Sequence, residues 1–396
     1  MQTQLNFGAT MPVQNPTESF WQSAPDPLIS NYQSADLPAR ADVVIIGSGL
    51  TGAFIAHRLL SSASPNKPKT VVILEARRAA SGATGRNGKS SHPRCPRYER
   101  RHSDREKTRT LTSTNQCPGG HIKLDCYRGF ASYSLVHGQQ VAKAQCAFEA
   151  ANYRETVAFI HENNLGNQVD LVEYRAADVF MSEKSWQSGL ASYRGFQEAG
   201  GDVSEISLLD RAEAEGQLRV RSCYGAITFP AASLWPYKLA VAVLRKSIDL
   251  GLQLQTNTPV TGISADGDSG AWKVSTGRGD VIASKAVHAT NEYSPHLLPE
   301  LQGRIIPLKG HVAAIVPPPA YQEQPLSTSF AFVDDEDYDY LIQRPGPQKY
   351  LIWGGGEIAH PDGLTGGFGD CDDATNVAEV QAYIKKAPAK HFKGWE

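Results

Sequence analysis

Residues 41–56, Ala-Asp-Val-Val-Ile-Ile-Gly-Ser-Gly-Leu-Thr-Gly-Ala-Phe-Ile-Ala, constrain the fold more than any other stretch of the chain. The apolar run Val43 to Ile46 reads as a buried strand, and Gly47, Gly49 and Gly52 follow with Ser48, Leu50 and Thr51 between them. Ala53, Ile55, Ala56, Leu59 and Leu60 then continue at helical spacing. This is a dinucleotide fingerprint in its strand-to-helix setting. Gly47 permits the tight turn, Gly49 lets a pyrophosphate approach the backbone, and Gly52 lets helix and strand pack closely. The phosphates would sit on backbone N–H groups at the positive end of the helix. Thr70-Val-Val-Ile-Leu-Glu75 reads as a second parallel strand, placing the Glu75 carboxylate where it can accept hydrogen bonds from a ribose. With Ala76 and Arg77 the nucleotide unit closes at residue 77.

At 396 residues the chain exceeds the usual size of one core, so two interleaved domains are expected. A hydrophobic content of 41%, a charged content of 20% and a net charge of -2 are those of an ordinary globular protein and predict no nucleic-acid partner. Residues 1–40 contain Pro12, Pro16, Pro25, Pro27 and Pro38 without a charged start and apolar core. They read as an irregular arm, anchored by Phe20 and Trp21, with a disordered tail as the alternative for the first fifteen residues, and not as a signal peptide. No later apolar run has the length of a membrane span, so no membrane partner is expected, and a cytoplasmic location follows, with the peroxisome left open. Cys95, Cys117, Cys126, Cys146, Cys223 and Cys371 contain no close-spaced metal-site pair, and no metal site is predicted; they read as free thiols in a reducing compartment.

Beyond residue 77 runs Arg77-Arg-Ala-Ala-Ser-Gly-Ala-Thr-Gly-Arg-Asn-Gly88, a loop of small residues with one guanidinium well placed for a buried anion. Here the chain resembles the D-amino-acid-oxidase-like superfamily of flavoproteins, which includes glycine, sarcosine and γ-glutamylputrescine oxidases. It is most similar to the fungal-type FAD-dependent oxidoreductases, whose loop reads Ser-Gly-Ala-Thr-Gly-Arg-Asn-Gly-Gly-His. The resemblance implies FAD as cofactor, with Ser81, Thr84, Arg86, Asn87 and Gly88 along its pyrophosphate and ribityl chain, beside Gly47 to Gly52 and Glu75 to Arg77. It also implies that the Val260 backbone meets the adenine and that Thr290 and Asn291 lie close to FAD, although Glu292 stands where the family has glycine.

Residues 89–119 interrupt this pattern with an Arg-, Ser- and Pro-rich insert lacking any apolar period, expected to be unstructured. Removing it joins Gly88 to Gly120-His121 and restores the family loop. Its ends can be encoded GGT-AAG-TCN at Gly88 to Ser90 and TGC-CCA-GGN at Cys117 to Gly119, with CTAAC available at Thr110 to Thr112. The segment therefore reads as a translated, unspliced intron. An uninterrupted transcript across these codons would exclude that origin.

The expected fold is α/β: a discontinuous Rossmann-like FAD-binding domain with an inserted α+β substrate domain. After the arm, 41–166 and 230–304 are assigned to FAD binding, 167–229 and 305–356 to the substrate side, and 357–396 to a truncated C-terminal segment. A long helix is expected over 138–164, one capped by Ser233, and one starting at Asp372. Leu252 to Val260 reads as one strand, and strands over Tyr338–Gln343 and its neighbours complete a substrate sheet. Candidate catalytic or substrate-contacting residues are His121, Lys309, Tyr340 and Arg344; bland alternatives are a structural His121, a surface Lys309 and a solvated Arg344. The expected reaction is oxidation of a carbon–nitrogen bond in a small amine or amino acid by hydride transfer to flavin, with oxygen as acceptor. Family members continue past the position of Glu396, so one alternative is a truncated, inactive flavoprotein relic. An NAD(P)-dependent dehydrogenase using the same fingerprint is the other. The oligomeric state is left open.

Overall fold

The computed structural model describes residues 10–86 and 118–395. The expectations for Asn87, Gly88 and most of the insert lie outside them. The chain divides into two compact units, Met1–Asn87, Trp235–Lys309 and Gly367–Thr375 in the first, Gly88–Leu234, Gly310–Gly366 and Asn376–Glu396 in the second.

The first unit is built on strands β1 (Arg40–Ile46), β2 (Val71–Leu74), β7 (Gln253–Gln255), β8 (Val260–Ala265), β9 (Trp272–Thr276) and β10 (Gly279–His288), and the second on β3 (His121–Lys123), β4 (Val172–Phe180), β5 (Ser207–Leu209), β6 (Gly225–Ser233), β11 (Val312–Ile315), β12 (Thr328–Val333), β13 (Tyr338–Gln343) and β14 (Leu351–Gly354). The first sheet runs β7-β2-β1-β10-β9-β8. Its four strands β7, β2, β1 and β10 are parallel, and β9 and β8 add antiparallel pairs. Every residue of β2, and Val43 to Ile46 of β1, is buried, as parallel strands covered on both faces require. Helices α1 (Leu50–Ser61) and α6 (Pro236–Asp249) pack against one another in this unit. Trp21, 1% exposed, meets Trp235 edge-on while Phe20 stacks on it, and the Trp235 indole N–H donates to the Trp21 carbonyl. The arm is thus anchored where the two aromatics predicted.

The second unit's main sheet has the order β11-β14-β13-β12-β4-β6-β3, with β5 beside β6. Helices α2 (Phe130–His137), α3 (Gln139–Glu162), α4 (Glu183–Glu198), α5 (Arg211–Gln217) and α7 (Ala378–His391) complete it. The expected helix over 138–164 is therefore α3, though it belongs to this second unit and not with the nucleotide unit. Side chains alternate along β13 as expected: Leu341 packs with Phe330 and Trp353, while Tyr338 and Tyr340 pack with Ala331. Cys146 is a core residue beside Phe130 and Phe196.

Three expected boundaries are corrected. Ser233 is no helix cap: it ends β6, paired with His121 on one side and Val172 on the other, and α6 starts at Pro236 behind Trp235. Asp372 does not start a helix, because its carboxylate bonds Ala374 N–H and the Thr375 hydroxyl in a local turn, and α7 begins at Ala378. Leu252 to Val260 splits into β7 and β8 around Asn257, whose φ of 49° is left-handed.

Asp339 on β13 sets a pH dependence. It is buried; Oδ1 accepts from Gly356 N–H and Oδ2 from the Tyr383 hydroxyl, both at 3.0 Å, and His391 Nε2 lies 3.9 Å from Oδ2. Burial, aided by Asp337, pushes Asp339 up to about 7, and burial pulls His391, stacked on Phe332, down to about 3. The raised carboxyl contributes stability that is complete below its ordinary 3.8 and lost as pH rises through 7. The depressed imidazole contributes stability that is complete above 6.5 and lost as pH falls towards 3. Asp339→Asn removes only the first contribution. Denaturant unfolding of variant and wild type should therefore show the variant gaining on the order of 2–3 kcal/mol relative to wild type between pH 5 and pH 8. A difference independent of pH would contradict this assignment.

Candidate functional site

The fingerprint sits at the carboxyl edge of the parallel strands. Gly47 N–H donates to Leu74 O at 2.8 Å and Ala289 N–H to Ile46 O at 2.9 Å, so the glycine turn lies between the ends of β2 and β10. Gly47 has φ 104°, and a Cβ there would stand 2.6 Å from the Ala289 carbonyl oxygen. Only glycine adopts this turn without strain. Gly52 faces the Gly47 carbonyl directly, which fixes helix against strand. Gly49 is the N-cap of α1 and offers no capping side chain, leaving the helix start to be satisfied from outside.

The loop after β2 folds back onto that helix start. Leu50 N–H donates to Thr84 Oγ1 at 3.0 Å, so the Thr84 oxygen is engaged while its own proton remains available to a ligand oxygen. Glu75 Oε2 accepts from Ser48 N–H at 3.0 Å and Ser48 Oγ at 2.6 Å, and Oε1 from Arg77 N–H at 3.0 Å. Because a carboxylate has about four acceptor sites, this arrangement holds the side chain rigid and leaves room for a ribose hydroxyl. Ser48 Oγ also accepts from Ala80 N–H. Ser81 is buried, and its carbonyl accepts from Gln22 of the arm.

Thr258 N–H donates to Glu75 O and Asn257 N–H to Arg77 O, which lays the segment before Val260 along Glu75 to Arg77. Val260 itself is buried with Val44, Val72 and Leu74. Thr290 follows Ala289 beside the glycine turn, its hydroxyl 2.8 Å from Ser294 Oγ. Asn291, with φ 46°, supplies the left-handed residue, and Glu292 lies in the short helix Asn291–Tyr293. The left-handed conformation is thus carried one residue before Glu292, on a residue type that tolerates it, and not at the position where the family has glycine.

Arg86 and Arg77 converge on Asp373, which sequence reasoning missed. Arg77 meets both carboxylate oxygens, at 3.1 and 3.0 Å, and Arg86 Nε lies 3.1 Å from Oδ2. Burial pulls the Arg86 guanidinium below its ordinary value despite that carboxylate.

Among the catalytic candidates, Lys309 lies in the first unit and is not a surface lysine: its ammonium is 2.8 Å from Asp370 and 3.1 Å from Thr375 Oγ1. The other three lie in the second unit. His121 is fully buried on β3, opposite Ser233. Tyr340 is buried on β13, with Gly119 so close that a Cβ would meet its ring at 3.0 Å. Burial pushes its hydroxyl well above the ordinary value, so the phenol is held neutral. Arg344 is 3% exposed and 3.4 Å from the Asp170 carboxylate. The solvated reading of Arg344 is overturned, since Asp170 supplies the countercharge that its burial needs.

Residues 42–394 match the DAO family, described as FAD dependent oxidoreductase. The chain belongs to this family. The FAD-dependent oxidoreductase is 24% identical over 381 residues to the probable oxidoreductase OrdL of Rhizobium meliloti (strain 1021), covering 92% of this chain and 75% of the relative. Its fold is similar to that of glycine oxidase from Bacillus cereus ATCC 14579, with a TM-score of 0.58 at 18% identity, covering 89% of this chain and 78% of that one. It is also similar to FAD-bound, dithionite-reduced L-alpha-glycerophosphate oxidase from Mycoplasma pneumoniae, with a TM-score of 0.55 at 14% identity and coverage of 89% and 79%. The cofactor is FAD, which sets aside the nicotinamide alternative. The glycine cradle, the loop-capped helix start and the pinned Glu75 fit that cofactor. Among the described residues of this oxidoreductase, no helix is long and apolar enough to cross a membrane.

Proposed function

We propose that this chain is a fungal-type member of the family that oxidises a carbon–nitrogen bond of a small amine or amino acid, with molecular oxygen as terminal acceptor. The observation that supports the reading is the loop from Arg77 to Arg86 folded onto the glycine turn, with Thr84 of the family-like loop at the start of α1 and Ala80 bonded to Ser48. When bound, FAD supplies the acceptor for the hydride leaving the substrate carbon. Gly47 to Gly52, Glu75 and Thr84 hold and orient it, and Ser81 and Arg86 line the same loop. Lys309, fixed by Asp370, offers a positive charge held in place. Tyr340 can donate a hydrogen bond to a substrate oxygen, and Arg344 can orient an anionic group while Asp170 holds its guanidinium.

The reading is tested by mixing FAD-loaded protein anaerobically with a panel of amino acids, N-alkylated amino acids and primary amines. At least one should bleach the visible flavin band, and admitting oxygen should restore it with formation of hydrogen peroxide. Bleaching by hydroxy compounds alone, with every amine inert, would overturn the carbon–nitrogen assignment.

A further inference from the structure

Two arginines of the FAD loop and the lysine at the unit's far sequence boundary are all held by one short segment, Gly367–Thr375. Lys309 N–H donates to Gly367 O and Gly369 N–H to Pro307 O, so the segment is laced to residues 307–309 at its start. Asp370 then pairs with the Lys309 ammonium at 2.8 Å. Three residues on, Asp373 takes both oxygens to Arg77 and shares one with Arg86. The arm closes the arrangement from the other side: Thr17 N–H and Thr17 Oγ1 both donate to the Asp373 carbonyl, at 2.8 and 3.0 Å. The Arg86 guanidinium in turn donates to Thr17 Oγ1 at 3.0 Å and to the Thr17 carbonyl.

We propose that Gly367–Thr375 is a strap that positions the FAD loop, with Asp373 as the positioning residue that sets the placement of Arg77 and Arg86. It acts through three physical features. The carboxylate grips Arg77 through both oxygens and pairs with Arg86 at 3.1 Å, while Thr17, itself bonded to the Asp373 carbonyl, orients the Arg86 guanidinium. Arg86 shares the short helix Ala83–Arg86 with Thr84, whose hydroxyl meets the start of α1, so the placement of Arg86 and the phosphate cradle are mechanically one piece. The two guanidiniums and the shared carboxylate together carry one net positive charge, so the cluster still attracts an anionic cofactor while the repulsion between the arginines is offset. The strap goes beyond assignment of FAD as cofactor, since it concerns what holds the loop when FAD is absent.

The test uses the full chain with Asp373→Asn and Asp373→Glu. Removing a negative charge next to two arginines would, by Coulomb's law alone, tighten binding of a pyrophosphate. Positioning predicts the opposite: Asp373→Asn weakens FAD binding about tenfold or more, measured by quenching of flavin fluorescence, and Asp373→Glu recovers part of the loss. The second measurement is hydrogen exchange without FAD. Peptides covering 77–86 and 13–22 should lose protection in Asp373→Asn while those of α3 do not. Equal or tighter FAD binding by Asp373→Asn, or unchanged exchange over 77–86, overturns the strap. If wild type itself fails to bind FAD, the cofactor reading fails, and the exchange measurement still decides the strap.

Discussion

Gly47→Ala abolishes measurable FAD binding and lowers stability by about 2–4 kcal/mol. The magnitude follows from two independent costs. The backbone at 47 has φ 104°, where an L side chain is strained by roughly 1–3 kcal/mol. The added Cβ would also stand 2.6 Å from the Ala289 carbonyl oxygen, a backbone atom of a residue whose own N–H is tied to the Ile46 carbonyl. Relief requires moving the end of β10, and with it Thr290 and Asn291, away from the turn. Gly82→Ala is the control: it lies in the same cofactor loop, but a Cβ there meets nothing within 4 Å. Thermal unfolding and FAD titration should separate the two variants clearly. Comparable behaviour of both would show that the glycine turn does not define the cofactor site.

Asp178→Ala produces the largest stability loss expected in the second unit, about 3–5 kcal/mol. Asp178 is 1% exposed on β4 and ion-paired with Lys123 of β3; its other oxygen accepts from the buried Tyr127 hydroxyl at 2.8 Å, and Arg128 lies 3.7 Å away. Burial pushes the carboxyl up, yet Lys123 and Arg128 outweigh it and hold the group below its ordinary value. With a depressed folded value, its contribution is present above the unfolded value and lost as pH falls through the folded one. Removing the carboxylate strands a buried ammonium, whereas removing both charges does not. The double variant Lys123→Met, Asp178→Asn should therefore be more stable than Asp178→Asn alone in denaturant unfolding. A double variant less stable than either single change would show that the pair is net stabilising beyond charge compensation.

The nucleotide unit was legible because its chemistry is local. Gly47, Gly49 and Gly52 are required by a turn that spans a few residues, and Glu75 lies one crossover later, so their roles follow from spacing alone. Alternation in Tyr338 to Gln343 was equally readable, since strand geometry fixes which residues share a face. Asp373 was not readable, because its partner Arg77 lies 296 positions earlier and nothing in an acid-rich stretch says which cation it meets. The solvated reading of Arg344 failed for the same reason: Asp170, which makes its burial tolerable, is 174 positions away. Asp178 did leave a local signal, a single acid inside Arg175-Ala-Ala-Asp-Val-Phe180, since a charge in an apolar strand needs a buried cation. The boundary errors at Ser233 and Asp372 have a different source. Strand pairing held Ser233 in β6, and local side-chain turns used Asp372, each overriding a plausible helix start.

The central claim is that the loop from Arg77 to Arg86 and the glycine turn together form a working FAD cradle. The measurement that tests it most directly is a visible absorption titration of the purified full chain with FAD, followed by removal of free ligand. The account predicts retained flavin bands, shifted and resolved relative to free FAD, at a stoichiometric ratio to protein. A colourless chain after removal of free FAD would contradict it.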